Sequence, residues 1–60
     1  MTLAQAIREA FQKQDGNQAN EVAEFCYLKG WTYDRMMEMV RAARVDPIEW
    51  EHLLQEVSVR

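Results

Sequence analysis

Apolar residues recur along this chain at helical spacing in four separate runs. Leu3, Ala6, Ile7, Ala10 and Phe11 form the first stripe, and Ala19, Val22 and Cys26 the second. Tyr33, Met36, Met37 and Val40 form the third, and Trp50, Leu53, Leu54 and Val57 the fourth. Steps of three and four place such residues on one face of an α-helix, and no segment alternates as a strand does. The pattern predicts four helices, approximately Leu3 to Gln14, Gln18 to Lys29, Tyr33 to Arg44 and Pro47 to Val57. The fold class expected is all-α, a compact bundle of four short helices.

Start signals agree with the stripes. In Val45-Asp46-Pro47-Ile48-Glu49-Trp50, the Asp46 carboxylate can accept from orphan N–H groups of the first turn, and Pro47 has no N–H to leave unpaired. Glu49 stands where a capping box needs a carboxylate, and Val45 and Trp50 occupy the positions of a hydrophobic staple. Trp31-Thr32-Tyr33-Asp34-Arg35-Met36 repeats the design, with Arg35 in the Glu/Gln position, so that box is incomplete. Thr2 and Gln5 form a third box. The second helix starts less distinctly, because Asp15, Gly16, Asn17 and Asn20 all suit a turn or a cap; Gly30 then suits a left-handed C-terminal position. One proline, two glycines and no repeated or low-complexity segment leave nothing to divide the chain, so residues 1–60 read as one domain.

Length tightens the picture. A chain of 60 residues buries only about 60% of its unfolded surface, and Cys26, the only cysteine, can form no internal disulfide. The apolar inventory is nonetheless rich, and Val22-Ala23-Glu24-Phe25-Cys26-Tyr27-Leu28 is apolar nearly all round. Such a helix lies at the centre of a bundle or is covered by something else. Phe25, Tyr27 and Leu28 are therefore candidate partner-binding residues. Met39 joins them, because Met36, Met37 and Met39 cannot all point into one core, and Trp50 joins them as an aromatic beside a cap.

Charge and motif content exclude more than they suggest. Ten acidic against seven basic residues give a net charge of −3, with the basic residues scattered apart from Arg35, Arg41 and Arg44. Arg41 and Arg44 suit the C-terminal end of a helix dipole, Asp46, Glu49 and Glu51 suit an N-terminal turn, and Glu9 with Lys13 makes an i,i+4 pair. Glu49-Trp50-Glu51-His52 has the Glu-x-x-His spacing of di-metal helix bundles, but a second such motif and two further carboxylates are missing, and Glu49 is claimed by the cap. Cys26 has no histidine near it in sequence and sits in an apolar helix, so it reads as a structural thiol. No glycine-rich phosphate loop, Cys/His cluster or Ser/His/Asp arrangement occurs. The expectation is a protein without catalytic residues, cofactor, metal or small-molecule substrate.

Gly30-Trp31-Thr32-Tyr33 followed by Asp34 to Val40, and then Val45-Asp46-Pro47, resembles a helix-turn-helix of the sigma-factor region 4 kind over residues 30–54. The resemblance implies a helix-turn-helix-like arrangement of the last two helices and a DNA-binding transcriptional regulator; in this chain that role requires Arg35, Arg41 and Arg44, the alternative nucleic-acid contacts, to face the DNA backbone. The chain departs from the pattern where Arg41-Ala42-Ala43-Arg44 lengthens the first helix of the pair. It departs again in the would-be recognition helix, which carries Glu49, Glu51 and Glu56 where phosphates and base edges call for Arg, Lys, Asn or Gln. Nucleic acid is accordingly not the expected partner. No apolar run is long enough to cross a membrane and no charged, apolar leader follows Met1, so the chain reads as soluble and cytoplasmic. The function expected is an inhibitor, adaptor or regulator of bacterial or phage type that binds a larger protein or a second copy of itself, with DNA binding as the alternative.

Overall fold

In the computed structural model, which describes residues 2–58 apart from the side chains of 57 and 58, the chain folds into four helices. They are α1 (Leu3–Gln12), α2 (Gly16–Leu28), α3 (Tyr33–Ala42) and α4 (Pro47–Ser58). No strand occurs among the described residues. The body measures 26 × 21 × 21 Å. At its centre lies α2, which packs against all three other helices and most extensively against α4 and α1.

Each described helix start is capped by the side chain its sequence offers. Thr2 forms a complete box with Gln5: the Thr2 N–H donates to Gln5 Oε1 at 2.9 Å and the Gln5 N–H to Thr2 Oγ1 at 3.2 Å. Asp15 caps α2 by accepting from the N–H groups of Asn17 and Gln18. The helix thus begins at Gly16, two residues ahead of the start expected from periodicity. Thr32 Oγ1 accepts from the Arg35 N–H at 3.2 Å, and the Asp46 carboxylate from the Ile48 N–H at 2.9 Å. The reciprocal Glu49 bond of a capping box is not among the bonds formed at that start; the two-residue reach of Asp46 to Ile48 does the capping.

The helix ends share one design. After each of the first three helices a residue turns left-handed: Gln14 at φ 52°, Gly30 at φ 80° and Arg44 at φ 63°. Two bonds close each end. The pairs are Gln14 N–H to Phe11 O with Asp15 N–H to Ala10 O, Gly30 N–H to Tyr27 O with Trp31 N–H to Cys26 O, and Arg44 N–H to Arg41 O with Val45 N–H to Val40 O. This is the Schellman pattern, which satisfies carbonyls left over at a helix end. It also corrects two boundaries. Gln14 and Arg44, expected inside helices, lie beyond α1 and α3, because neither site carries the glycine that marks such a position in sequence.

All four helices contribute to the core. Ile7, Ala10, Ala19, Cys26, Met36, Val40 and Trp50 are fully buried, and Val22, Ala23, Ala43, Val45 and Leu53 nearly so. The Val45–Trp50 staple is within this cluster, while Trp31, in the matching position before α3, is half-buried against it. Among the described residues no polar or charged residue is buried. Tyr33, placed by its stripe in the core, is instead 41% exposed. The side chain of Val57, the last member of the fourth stripe, lies outside the described residues.

Candidate interaction surface on the outer face of the second helix

The candidate surface starts from the two-sidedness of α2. Ala19, Val22, Ala23 and Cys26 fill one face of the helix, and burial of the Cys26 thiol pushes its pKa up. On the other face, Glu21, Glu24, Phe25 and Leu28 follow at i, i+3, i+4 and i+7 and are all exposed. Leu28 is 88% exposed, Tyr27 51% and Phe25 48%. The sequence therefore placed three apolar side chains on this helix that the bundle does not cover.

They do not form one flat patch. Phe25 and Tyr27 are two residues apart, roughly 200° around a helix, and leave the Leu28 ridge on opposite sides. Phe25 turns toward α1, where it lines an open groove of about 350 Å³ with Leu3, Ala6 and Val22, and with Thr2, Gln18 and Glu21 as polar lining. The Lys29 ammonium sits 5.0 Å from the centroid of the Phe25 ring, a cation–π contact. Tyr27 turns toward the start of α3. There the Tyr33 hydroxyl is held above its usual pKa by partial burial first and by the Glu51 carboxylate second, with Tyr27 and Asp34 adding smaller effects in the same direction.

Two other candidates fall elsewhere. Trp50 is fully buried beneath the start of α4 and is not available to a partner, because the staple with Val45 draws it into the core. Its indole Nε1–H has no hydrogen-bond partner. Met39 is half-buried and packed against the core cluster, so it makes no exposed patch with Tyr27. The structure adds residues that the stripes did not mark. Ile48 is 65% exposed on the first turn of α4, and Leu3 and Ala6 open onto the groove. Ile48 was legible, since it falls off the Trp50–Leu53–Leu54 stripe; the groove, which depends on how α1 and α2 meet, was not.

The three arginines do not converge on one face through a shared contact. The Arg35 guanidinium lies 4.6 Å from the centroid of the Trp31 ring, Arg41 is exposed in the last turn of α3, and Arg44 is exposed at the left-handed position after it. The only ion pair among the described residues is Lys13 to Glu9, at 2.9 Å. Glu49, His52 and Glu56 line a shallow depression with Gln14 and Leu53. No group of three His, Cys, Asp or Glu side chains close enough to hold a metal ion occurs among the described residues, and none of the described helices is long and apolar enough to cross a membrane.

No family model matches the chain, and neither a curated protein nor a solved structure is similar to it at a significant level.

Proposed function

We propose that this chain is a small, non-enzymatic protein-binding module that regulates, inhibits or adapts a larger protein in the cytoplasm, docking through the outer face of α2. The observation that carries the reading is the exposure of Leu28, 88%, between Phe25 and Tyr27 on a helix whose opposite face already supplies the core. Three large apolar side chains left exposed along one helix of so small a body, about a ridge that Leu28 tops, are of the kind found at interaction sites. The inner face needs no further cover, so substitutions on the outer face separate binding from folding.

The test is capture of a partner by tagged protein, with Phe25→Ala, Tyr27→Ala and Leu28→Ala combined in one variant and the mass of the isolated protein measured alongside. Loss of the captured protein with helical circular dichroism unchanged supports the reading. Retention of it refutes the reading. A mass that falls from dimer to monomer in the variant identifies the partner as a second copy. The DNA-binding alternative rests on the short link between α3 and α4 and on the exposed Arg41 and Arg44. Against it stand Glu49, Glu51 and Glu56, all exposed on α4. Duplex binding that weakens steeply with added salt would favour that alternative.

A further inference from the structure

The groove between α1 and α2 and the acidic ridge beside it narrow the kind of partner, on the premise that α2 is a docking surface. The groove floor is apolar, from Leu3, Ala6, Val22 and Phe25, and the groove is open rather than enclosed, which suits side chains from another surface better than a small molecule. Glu21 lines it and Glu24 stands one turn further along the same exposed face. Neither carboxylate takes part in an ion pair, since the one pair among the described residues is Glu9 with Lys13. The nearest cation on α2's end, Lys29, is already seated over Phe25. From α2 a two-fold second copy offers the two carboxylates only one cation, Lys29, which already sits over Phe25, so at least one of Glu21 and Glu24 in each copy would be left without a partner from the facing helix.

We infer that the occupant is a basic amphipathic helix of a different protein. Its apolar side chains enter the α1/α2 groove against Phe25, and its Lys or Arg side chains, one turn apart, meet Glu21 and Glu24. Helix-in-groove recognition uses this combination, apolar anchors at i, i+3, i+4 and i+7 for affinity and flanking charge for choice of partner.

The probe is a synthetic amphipathic helix of about 14 residues, roughly four turns, with leucines on one face and lysines on the other, compared with the same peptide carrying glutamates in place of the lysines. Binding is followed by fluorescence anisotropy and by backbone amide shifts. The wild-type protein is expected to prefer the lysine peptide, with shifts confined to residues 3–6 and to α2. Phe25→Ala is expected to weaken binding while circular dichroism stays unchanged, because Phe25 is half-exposed. Glu21→Lys with Glu24→Lys is expected to reverse the preference, by at least about five-fold for the two lost pairs together. A reversal of this kind cannot come from a general loss of structure.

The inference is overturned if Phe25→Ala and the double reversal leave both affinities unchanged, or if the shifts map to another face. It is also overturned if the isolated protein is a dimer that Phe25→Ala dissociates, since the groove then belongs to a second copy. Should the peptide fail on the groove while the α2 variants still lose a captured partner, the docking reading stands and the basic-helix assignment alone falls.

Discussion

Replacing Trp50 offers the sharpest test of how the core is held together. The indole is fully buried at the junction of α4 with the rest of the bundle, yet its N–H has no acceptor. Deleting a buried Trp to Ala costs about 3–5 kcal/mol, and a domain of 60 residues has about 3–9 kcal/mol in all. Trp50→Ala is thus expected to unfold a large fraction of the protein. Trp50→Phe differs in kind. It removes roughly 40 Å² of apolar contact, about 1 kcal/mol, and the residual cavity adds about 1 kcal/mol more. It also removes a buried donor whose unmet hydrogen bond costs about 1–3 kcal/mol. The terms nearly cancel, so Trp50→Phe is expected to fall within about 1 kcal/mol of wild type, a shift in Tm of no more than about 8 °C. Urea unfolding followed by helical circular dichroism checks this, with Trp31 fluorescence as a second probe of the same transition. If Trp50→Phe loses 3 kcal/mol or more, about the cost of removing the whole side chain, the N–H has a partner and the reasoning fails.

Three further outcomes are expected. At the left-handed positions, Gly30→Ala should cost about 1 kcal/mol in backbone strain alone, because an added Cβ meets nothing within 4 Å. Arg44→Gly should gain about 0.5 kcal/mol, and Gln14→Gly should gain less, since the Gln14 amide donates to the Phe11 carbonyl at 2.8 Å; chemical unfolding of the three variants ranks them, and a stabilised Gly30→Ala would contradict the assignment. Cys26, buried and with its thiol pKa raised, should resist alkylation at neutral pH until urea unfolds the chain, and rapid labelling of native protein would show that the core opens. The Glu9–Lys13 pair lowers the Glu9 pKa and raises that of Lys13. The Glu9 contribution is therefore present above the ordinary carboxylate range and lost as pH falls through the lowered value. That of Lys13 is present below the ordinary amine range and lost as pH rises through the raised one. Both side chains are on the surface, so the shifts should shrink with added salt, and a Glu9 titration by NMR that does not move in Lys13→Ala would remove the pair from the account.

Which parts of this molecule could be read from the chain follows from how local the physics is. Thr2, Thr32 and Asp46 cap within two or three residues of themselves, so helix starts are visible as short motifs. Ends were visible only where glycine marks them. Gly30 was legible, but Gln14 and Arg44 adopt the same backbone without the residue that favours it, and the helices looked longer than they are. Apolar spacing identified Ile7, Val22, Met36, Val40 and Leu53 as core, but it could not rank Tyr33 against Met36, because both lie on one stripe and only packing against α4 leaves the tyrosine half out. Trp50 shows the converse. An aromatic next to a cap suits an interface as well as a staple, and only the approach of α2 and α4 decides. The groove beside Phe25 belongs to the meeting of two helices, so no single stripe contains it.

The repeated link between helices has a consequence in time as well as in space. Each of the three links is closed by hydrogen bonds spanning three and five residues, and in the last two the residue after the left-handed turn is an apolar one that packs on the core. The direction in which each helix leaves is thereby written into contacts that form without waiting for distant parts of the chain. Loops this short close in well under about a microsecond, and folds built mainly from local contacts reach the native state in about microseconds to milliseconds. The molecule is expected to fold in a single fast phase, which stopped-flow circular dichroism checks.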